Sequence, residues 1–169
     1  MNPFASSAQR VGVFIDTQNL YHSAKNFYQS NIDFGNLVKI VVDNRNLVRA
    51  IAYVIKSDLS DKEIGFFEAM VSKGIELRIK ELIVMPGGEK KADWDVGIAI
   101  DAVRISKLLD VVVLATGDGD FIPLVEYLQN QGIQIEVAGF GRNTALKLKE
   151  RADFFYDLDE QIEQILIRK

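Results

Sequence analysis

In the segment Thr116-Gly117-Asp118-Gly119-Asp120-Phe121 two carboxylates stand two residues apart, immediately after the apolar run 111–115 (VVVLA). Like charges this close repel unless a cation or a shared proton compensates, so the pair is a candidate divalent-metal site. Asp16 closes a second apolar run, 11–15 (VGVFI), and is followed by Thr17, Gln18 and Asn19. Asp95 opens an apolar-rich segment, 94–109. Mg²⁺ or Mn²⁺ accepts one or two such oxygens together with waters and a substrate phosphate, so metal-assisted phosphodiester hydrolysis is the chemistry that fits best. The chain has no cysteine and a single histidine, His22, which excludes disulfides, thiolate sites and multi-histidine zinc centres. Any metal must be held by oxygen.

Carboxylates so scattered along a chain meet only if the fold delivers them to one place. With 169 residues, 48% of them hydrophobic and 26% charged, one domain with its own core is expected: a tail over 1–9 and a domain over 10–169. The β-branched run 111–115 reads as a strand buried on both faces, and 11–15 as its companion. Further strands are expected over 47–55, over 75–85 as a single strand at the edge of the sheet, over 133–138 and over 153–156. Helical spacing of apolar residues marks 20–28, 34–41, 64–71, 121–128 and 158–166, and a largely buried helix over 94–109. Ser60 and Glu63 have capping-box spacing, Gly74 and Gly132 stand where helices should stop, and a short helix should start near Asn143. Alternating strands and helices indicate an α/β domain with a mainly parallel sheet and helices on both faces.

In such a sheet ligands bind outside the carboxyl ends of the strands, where the strand order reverses. Asp16, Asp95, Asp118 and Asp120 all fall on that edge, and they converge if strands 11–15 and 111–115 are neighbours. Each also has an ordinary use. Asp16 and Asp120 could cap helices, Asp118 could serve the turn, and Asp95 could complement a helix dipole. Asp101 lies about 240° around the helix from Asp95 and is expected to pair with Arg104. His22 reads as a surface residue and Trp94 as core, while Lys90, Lys91, Arg142, Lys147 and Lys149 flank the edge and could contact phosphates.

Asp16 with Asn19, the run Lys91-Ala-Asp-Trp-Asp95-Val-Gly-Ile-Ala-Ile-Asp101, and Thr116-Gly-Asp118-Gly-Asp120-Phe together resemble the NYN domain, in its LabA-like branch, within the PIN-like nuclease superfamily. The resemblance spans roughly residues 10 to 157 in consistent order. It implies a single Rossmann-like domain and a Mg²⁺- or Mn²⁺-dependent ribonuclease. The metal and catalytic positions would be Asp16, Asp95, Asp118 and Asp120, with Asn19 orienting substrate or water and Thr116 positioning the turn. Asp95 is preferred to Asp93 because its spacing to Asp101 fits the family.

The net charge of −4 argues weakly against a dedicated high-affinity nucleic-acid binder but does not exclude an enzyme acting on nucleic acid, since several of the acidic residues would be offset by a cation. No apolar run approaches a membrane span, and a cytoplasmic location is the default expectation. No accessory domain is expected, so substrate selection would fall to this domain, a homo-oligomer or a protein partner. The competing readings are a non-catalytic RNA- or protein-binding regulatory module, a phosphatase with a nucleophile at Asp16, and a dinucleotide enzyme. The last is poorly supported, since the turn after the first strand reads DTQN and lacks a glycine fingerprint.

Overall fold

The computed structural model describes residues 2–56, 61–81, 83–84, 90–91 and 93–167. In chain order the elements are β1 (Arg10–Asp16), α1 (Thr17–Tyr28), β2 (Asn31–Ile32), α2 (Phe34–Val42), β3 (Asn46–Lys56), α3 (Asp61–Ser72) and β4 (Glu76–Glu81). They continue as β5 (Ile83–Val84), β6 (Lys90–Lys91), α4 (Asp95–Ile105), β7 (Val111–Ala115), α5 (Ile122–Asn130), β8 (Gln134–Gly139), α6 (Leu146–Arg151), β9 (Phe154–Asp157), α7 (Ile162–Ile165) and β10 (Leu166–Ile167). Ser60, expected to cap α3, and the Pro86-Gly87-Gly88 break lie outside the described residues.

Six strands form one sheet in the order β4-β3-β1-β7-β8-β9, and every pairing in it is parallel. This is a doubly wound sheet whose direction of winding reverses between β1 and β7. Register sets Ile15 beside Ala115, so the residues that follow, Asp16 and Thr116, leave the sheet side by side.

All five residues of β7 are buried because each face of the sheet has its own core. Val111, Val113 and Ala115 point toward α1, α2, α3 and α7, meeting Leu20, Leu37, Val41, Met70 and Ile165. Val112 and Leu114 point toward α4, α5 and α6, meeting Ile98, Ala102, Val125, Leu128 and Leu148. Helices α3 and α5 are each followed by a glycine with positive φ, Gly74 at 78° and Gly132 at 81°, a conformation that glycine adopts without a Cβ penalty.

Several expectations are corrected. The helix after Asp95 is not largely buried: only Ile98, Ala102 and Ile105 are, while Val96 is 69% and Ile100 51% exposed. It covers one face of the sheet, and among the described residues Val96 and Ile100 stay uncovered on its back. Residues 83–84 do not prolong β4 but pair antiparallel with 90–91 as a separate two-stranded sheet. The last helix is short, and the chain beyond it returns as β10 against β2, a pairing too brief to leave a pattern in the sequence. The helix expected near Asn143 starts at Leu146, because residues 140–145 form a turn held by bonds from the Asn143 and Thr144 N–H groups to the Phe140 carbonyl.

Candidate metal centre and its edge

The site is built at the reversal point, on the carboxyl ends of β1 and β7. Asp16 caps α1, accepting from the Asn19 N–H at 3.2 Å. Its second oxygen accepts from the Thr116 hydroxyl at 3.1 Å, and that hydroxyl oxygen in turn accepts from the Asp118 N–H at 3.2 Å. Thr116 therefore ties the two strand ends together. The Asn19 side-chain oxygen accepts from the Gly117 N–H at 2.9 Å, adding a second tie between α1 and the turn. Asp118 caps the short 3₁₀ turn Gly119–Phe121 by accepting from the Asp120 N–H at 2.9 Å. The ordinary uses of Asp16 and Asp118 are thus real, and they fix both carboxylates on the edge.

The turn is clamped from beneath. A Cβ on Gly117 would lie 3.1 Å from the Asn143 carbonyl oxygen, and the Gly117 carbonyl accepts from the Ala145 N–H. Glycine at this position lets the segment before α6 approach closely.

Asp95 reaches the same edge through Trp94. The indole N–H donates to the Val54 carbonyl at 3.0 Å, and its ring meets Tyr53 edge-on at 5.4 Å, both at the end of β3. Trp94 is half-buried, an anchor for the start of α4 rather than a residue of the central core. A Cβ on Gly97 would stand 2.5 Å from the Trp94 ring, so a glycine is required one turn above.

Asp95, Asp118 and Asp120 each present an oxygen within 4.8 Å of the others. Asp16 stands outside this trio but close enough to feel it. Burial pushes the Asp16 carboxyl above its ordinary range against the two hydrogen bonds it accepts, and the charges on Asp95 and Asp118 push it further. Burial also raises Asp95, with Asp118, Asp93 and Asp120 adding and Lys80 opposing. Three oxygen donors that repel one another, with no thiolate or imidazole among them, suit a hard divalent cation.

The neighbouring residues fall differently from expectation. Asp101 accepts from Tyr53 at 3.0 Å and pairs with Arg78 at 3.4 Å rather than with Arg104, so it braces α4 against β3 and β4. Asp93 is exposed, and its carbonyl holds the Lys80 ammonium at 2.7 Å, while Lys80 also lies 4.8 Å from the Trp94 ring centroid. The sequence reading passed over Lys80, since a lysine on an edge strand carries no signal of its own. Lys91 lies in β6, and its side chain is outside the described residues. Arg142 is at the edge but engaged, pairing with Asp159 at 3.3 Å and donating to the Tyr28 hydroxyl at 3.1 Å. Lys149 donates to the Gly141 carbonyl at 2.6 Å, and His22 and Lys147 are exposed.

A doubly wound α/β domain with aspartates gathered at the reversal point is the architecture of a nuclease-type, PIN-like fold. The model of the NYN domain family matches residues 10–159, and the chain belongs to that family. It is 30% identical to the low amplitude and bright protein LabA of Synechococcus elongatus, over 89% of this chain and 84% of that one. It also resembles the crystal structure of a protein of unknown function from Vibrio parahaemolyticus, with a TM-score of 0.86 and 32% identity over 96% of this chain and 99% of the other. None of the described helices is long and apolar enough to cross a membrane.

Proposed function

We propose that the protein is a divalent-metal-dependent ribonuclease that hydrolyses RNA phosphodiester bonds at this edge. The observation that carries the reading is the trio Asp95, Asp118 and Asp120, whose oxygens lie within 4.8 Å of one another beside a fourth carboxylate, Asp16. These four would hold Mg²⁺ or Mn²⁺, which when bound would polarise the scissile phosphate and favour ionisation of the attacking water. The chain's own residues do the rest. Thr116 and the α1 cap keep Asp16 in place, and Asn19 stands one helical turn on, next to the Gly117 N–H, where its amide can orient substrate. Thr116, Lys91 and Arg142 are assigned to the substrate side of the same edge.

The test is cleavage of end-labelled single-stranded RNA in Mg²⁺ or Mn²⁺, beside EDTA and the Asp118→Asn protein. Products that disappear in both controls support the nuclease. Full activity in a clean Asp118→Asn preparation sinks it. The exposed apolar residues Val96 and Ile100, on the helix that begins with Asp95, favour a second reading as a protein-binding regulatory module. Cation binding without turnover by the native protein moves that reading ahead.

A further inference from the structure

Helix α1 holds none of the 24 acidic residues of the chain, and one of its ridges leads away from the aspartates. Asn19, Ser23 and Phe27 follow one another four residues apart and so line one side of the helix. The turn after β7 and the loop after β8 meet that ridge. Asn19 accepts from Gly117, the Asn143 amide donates to the Ser23 hydroxyl at 2.7 Å, and the Arg142 guanidinium lies 5.3 Å from the Phe27 ring centroid.

Arg142 is not a loose surface cation. Asp159 accepts from its backbone N–H at 3.1 Å and pairs with its guanidinium, while Asp157 accepts from the Gly141 N–H at 3.0 Å. Burial opposes it, yet the Tyr28 hydroxyl and Arg142 hold the Asp159 carboxyl below its ordinary range. With its charge met, the guanidinium offers a flat surface more than a free phosphate ligand. Phe27 remains 41% and the Arg142 side chain 53% exposed, so both halves of the stack keep area open to solvent.

We propose that Phe27 and Arg142 form a stacking subsite for an unpaired base of single-stranded RNA, on the substrate path that leads to the aspartates. Asn19 and Phe27, eight positions apart, are separated by about 12 Å along the helix, the length of three or four stacked nucleotides at about 3.4 Å each, with Ser23 between them buried beneath Asn143. An aromatic ring beside a guanidinium plane binds any base by its π face, so the subsite accepts sequence broadly and selects unpaired strands over duplex. Tyr28, which accepts from Arg142, also lines an open concavity of about 510 Å³ with Ser30, Ile162, Glu163 and Leu166; the acidic Glu163 makes it a poor place for phosphates, so the strand is taken to end at the stack. The subsite rests on the ribonuclease reading for its ligand class.

Binding of a fluorescein-labelled eight-nucleotide oligoadenylate, followed by anisotropy in the Asp118→Asn protein, tests it. Phe27→Leu keeps an apolar side chain but removes the π face, and should weaken binding about ten-fold. Phe27→Trp should bind as tightly as the parent or tighter, and Arg142→Lys, which keeps charge and loses the plane, should weaken binding several-fold. A strand of the same length carrying abasic sugars should not distinguish the Phe27 variants, an outcome that a merely structural role would not produce. Thermal melts show which variants are folded, and if Phe27→Leu is not, Phe27→Trp and Arg142→Lys decide. Equal affinity of all variants for oligoadenylate, or an equal loss with the abasic strand, overturns the subsite. Phe27-dependent binding without cleavage by native protein would remove the nuclease and leave the subsite, and cleavage with Phe27-independent binding would do the reverse.

Discussion

Replacing Asp118 by Asn removes one negative charge from the trio while keeping an oxygen to accept from the Asp120 N–H. Like charges within 4.8 Å of each other repel by about 1 kcal/mol or more in a water-like dielectric and by about 3.5 kcal/mol or more at an effective dielectric of about 20. Asp95 and Asp118 are half-buried and Asp120 is exposed, so the lower figure governs each pair. Asp118 belongs to two pairs, and Asp118→Asn should stabilise the cation-free protein by about 1–2 kcal/mol, which for a domain of this size raises Tm by about 2–8 °C. A divalent cation at a hundred times its Kd should stabilise the native protein by about 2.7 kcal/mol. The variant should gain little from it, having lost a ligand.

Melts followed by circular dichroism in EDTA and in Mn²⁺ read both effects in one experiment. The expected pattern is a crossing: the variant is the more stable protein without the cation and the less stable with it. A variant that melts below native protein in EDTA, or an equal Mn²⁺-induced rise in both, refutes the claim that these carboxylates are a repulsive cluster awaiting a cation.

Three other outcomes follow from the same geometry. Thr116→Val removes the hydroxyl shared by Asp16 and Asp118 with little change of shape, and should lower kcat by about 10²-fold, the effect of misplacing a group by about 1 Å; steady-state kinetics showing only a raised KM would contradict it. Because the Asp95 carboxyl sits above its ordinary range, chiefly through burial, the folded protein binds its proton more tightly than the unfolded chain. Its ionisation therefore costs stability as pH rises through the folded value. Asp95→Asn should gain on native protein in EDTA as pH goes from about 4 to about 7, read by urea unfolding, and a gap that narrows instead would reverse the sign. Finally, Arg45 and Glu136 pair at 2.7 Å with side chains 1% and 0% exposed. Arg45→Met leaves the buried Glu136 carboxylate with neutral donors from Asn2, Gln134 and Tyr156 but no countercharge, and should cost about 3–5 kcal/mol of unfolding free energy, without changing the activity of the protein that remains folded; a loss under about 1 kcal/mol would show that the pair is not what holds that corner.

The acidic edge was legible because its signals are local. An apolar run long enough for one strand, followed at once by a carboxylate, gives both the element and the end at which the charge emerges, as at Asp16 and at Asp118. That β1 and β7 are neighbours is a property of doubly wound sheets as a class, so the convergence of distant aspartates needed no contact information. The finer arrangement was not legible. Asp16 turns its two oxygens to Asn19 and Thr116 and stands beside the trio rather than within it, a choice made by cap geometry that spacing along the chain cannot express. Glu136 reads as one polar residue in an apolar strand. Its partners Arg45 and Asn2 are 91 and 134 positions away, and nothing local distinguishes it from a solvent-facing glutamate. Arg142 reads as able to contact phosphates because it flanks the edge; that Asp159, after β9, and Tyr28, at the end of α1, engage it is a tertiary fact no local pattern expresses. Sequence pattern thus reports which edge carries charge. Which of those charges remain free to meet a substrate is decided by tertiary partners: both Asp16 oxygens accept hydrogen bonds, and the Arg142 guanidinium is met by Asp159.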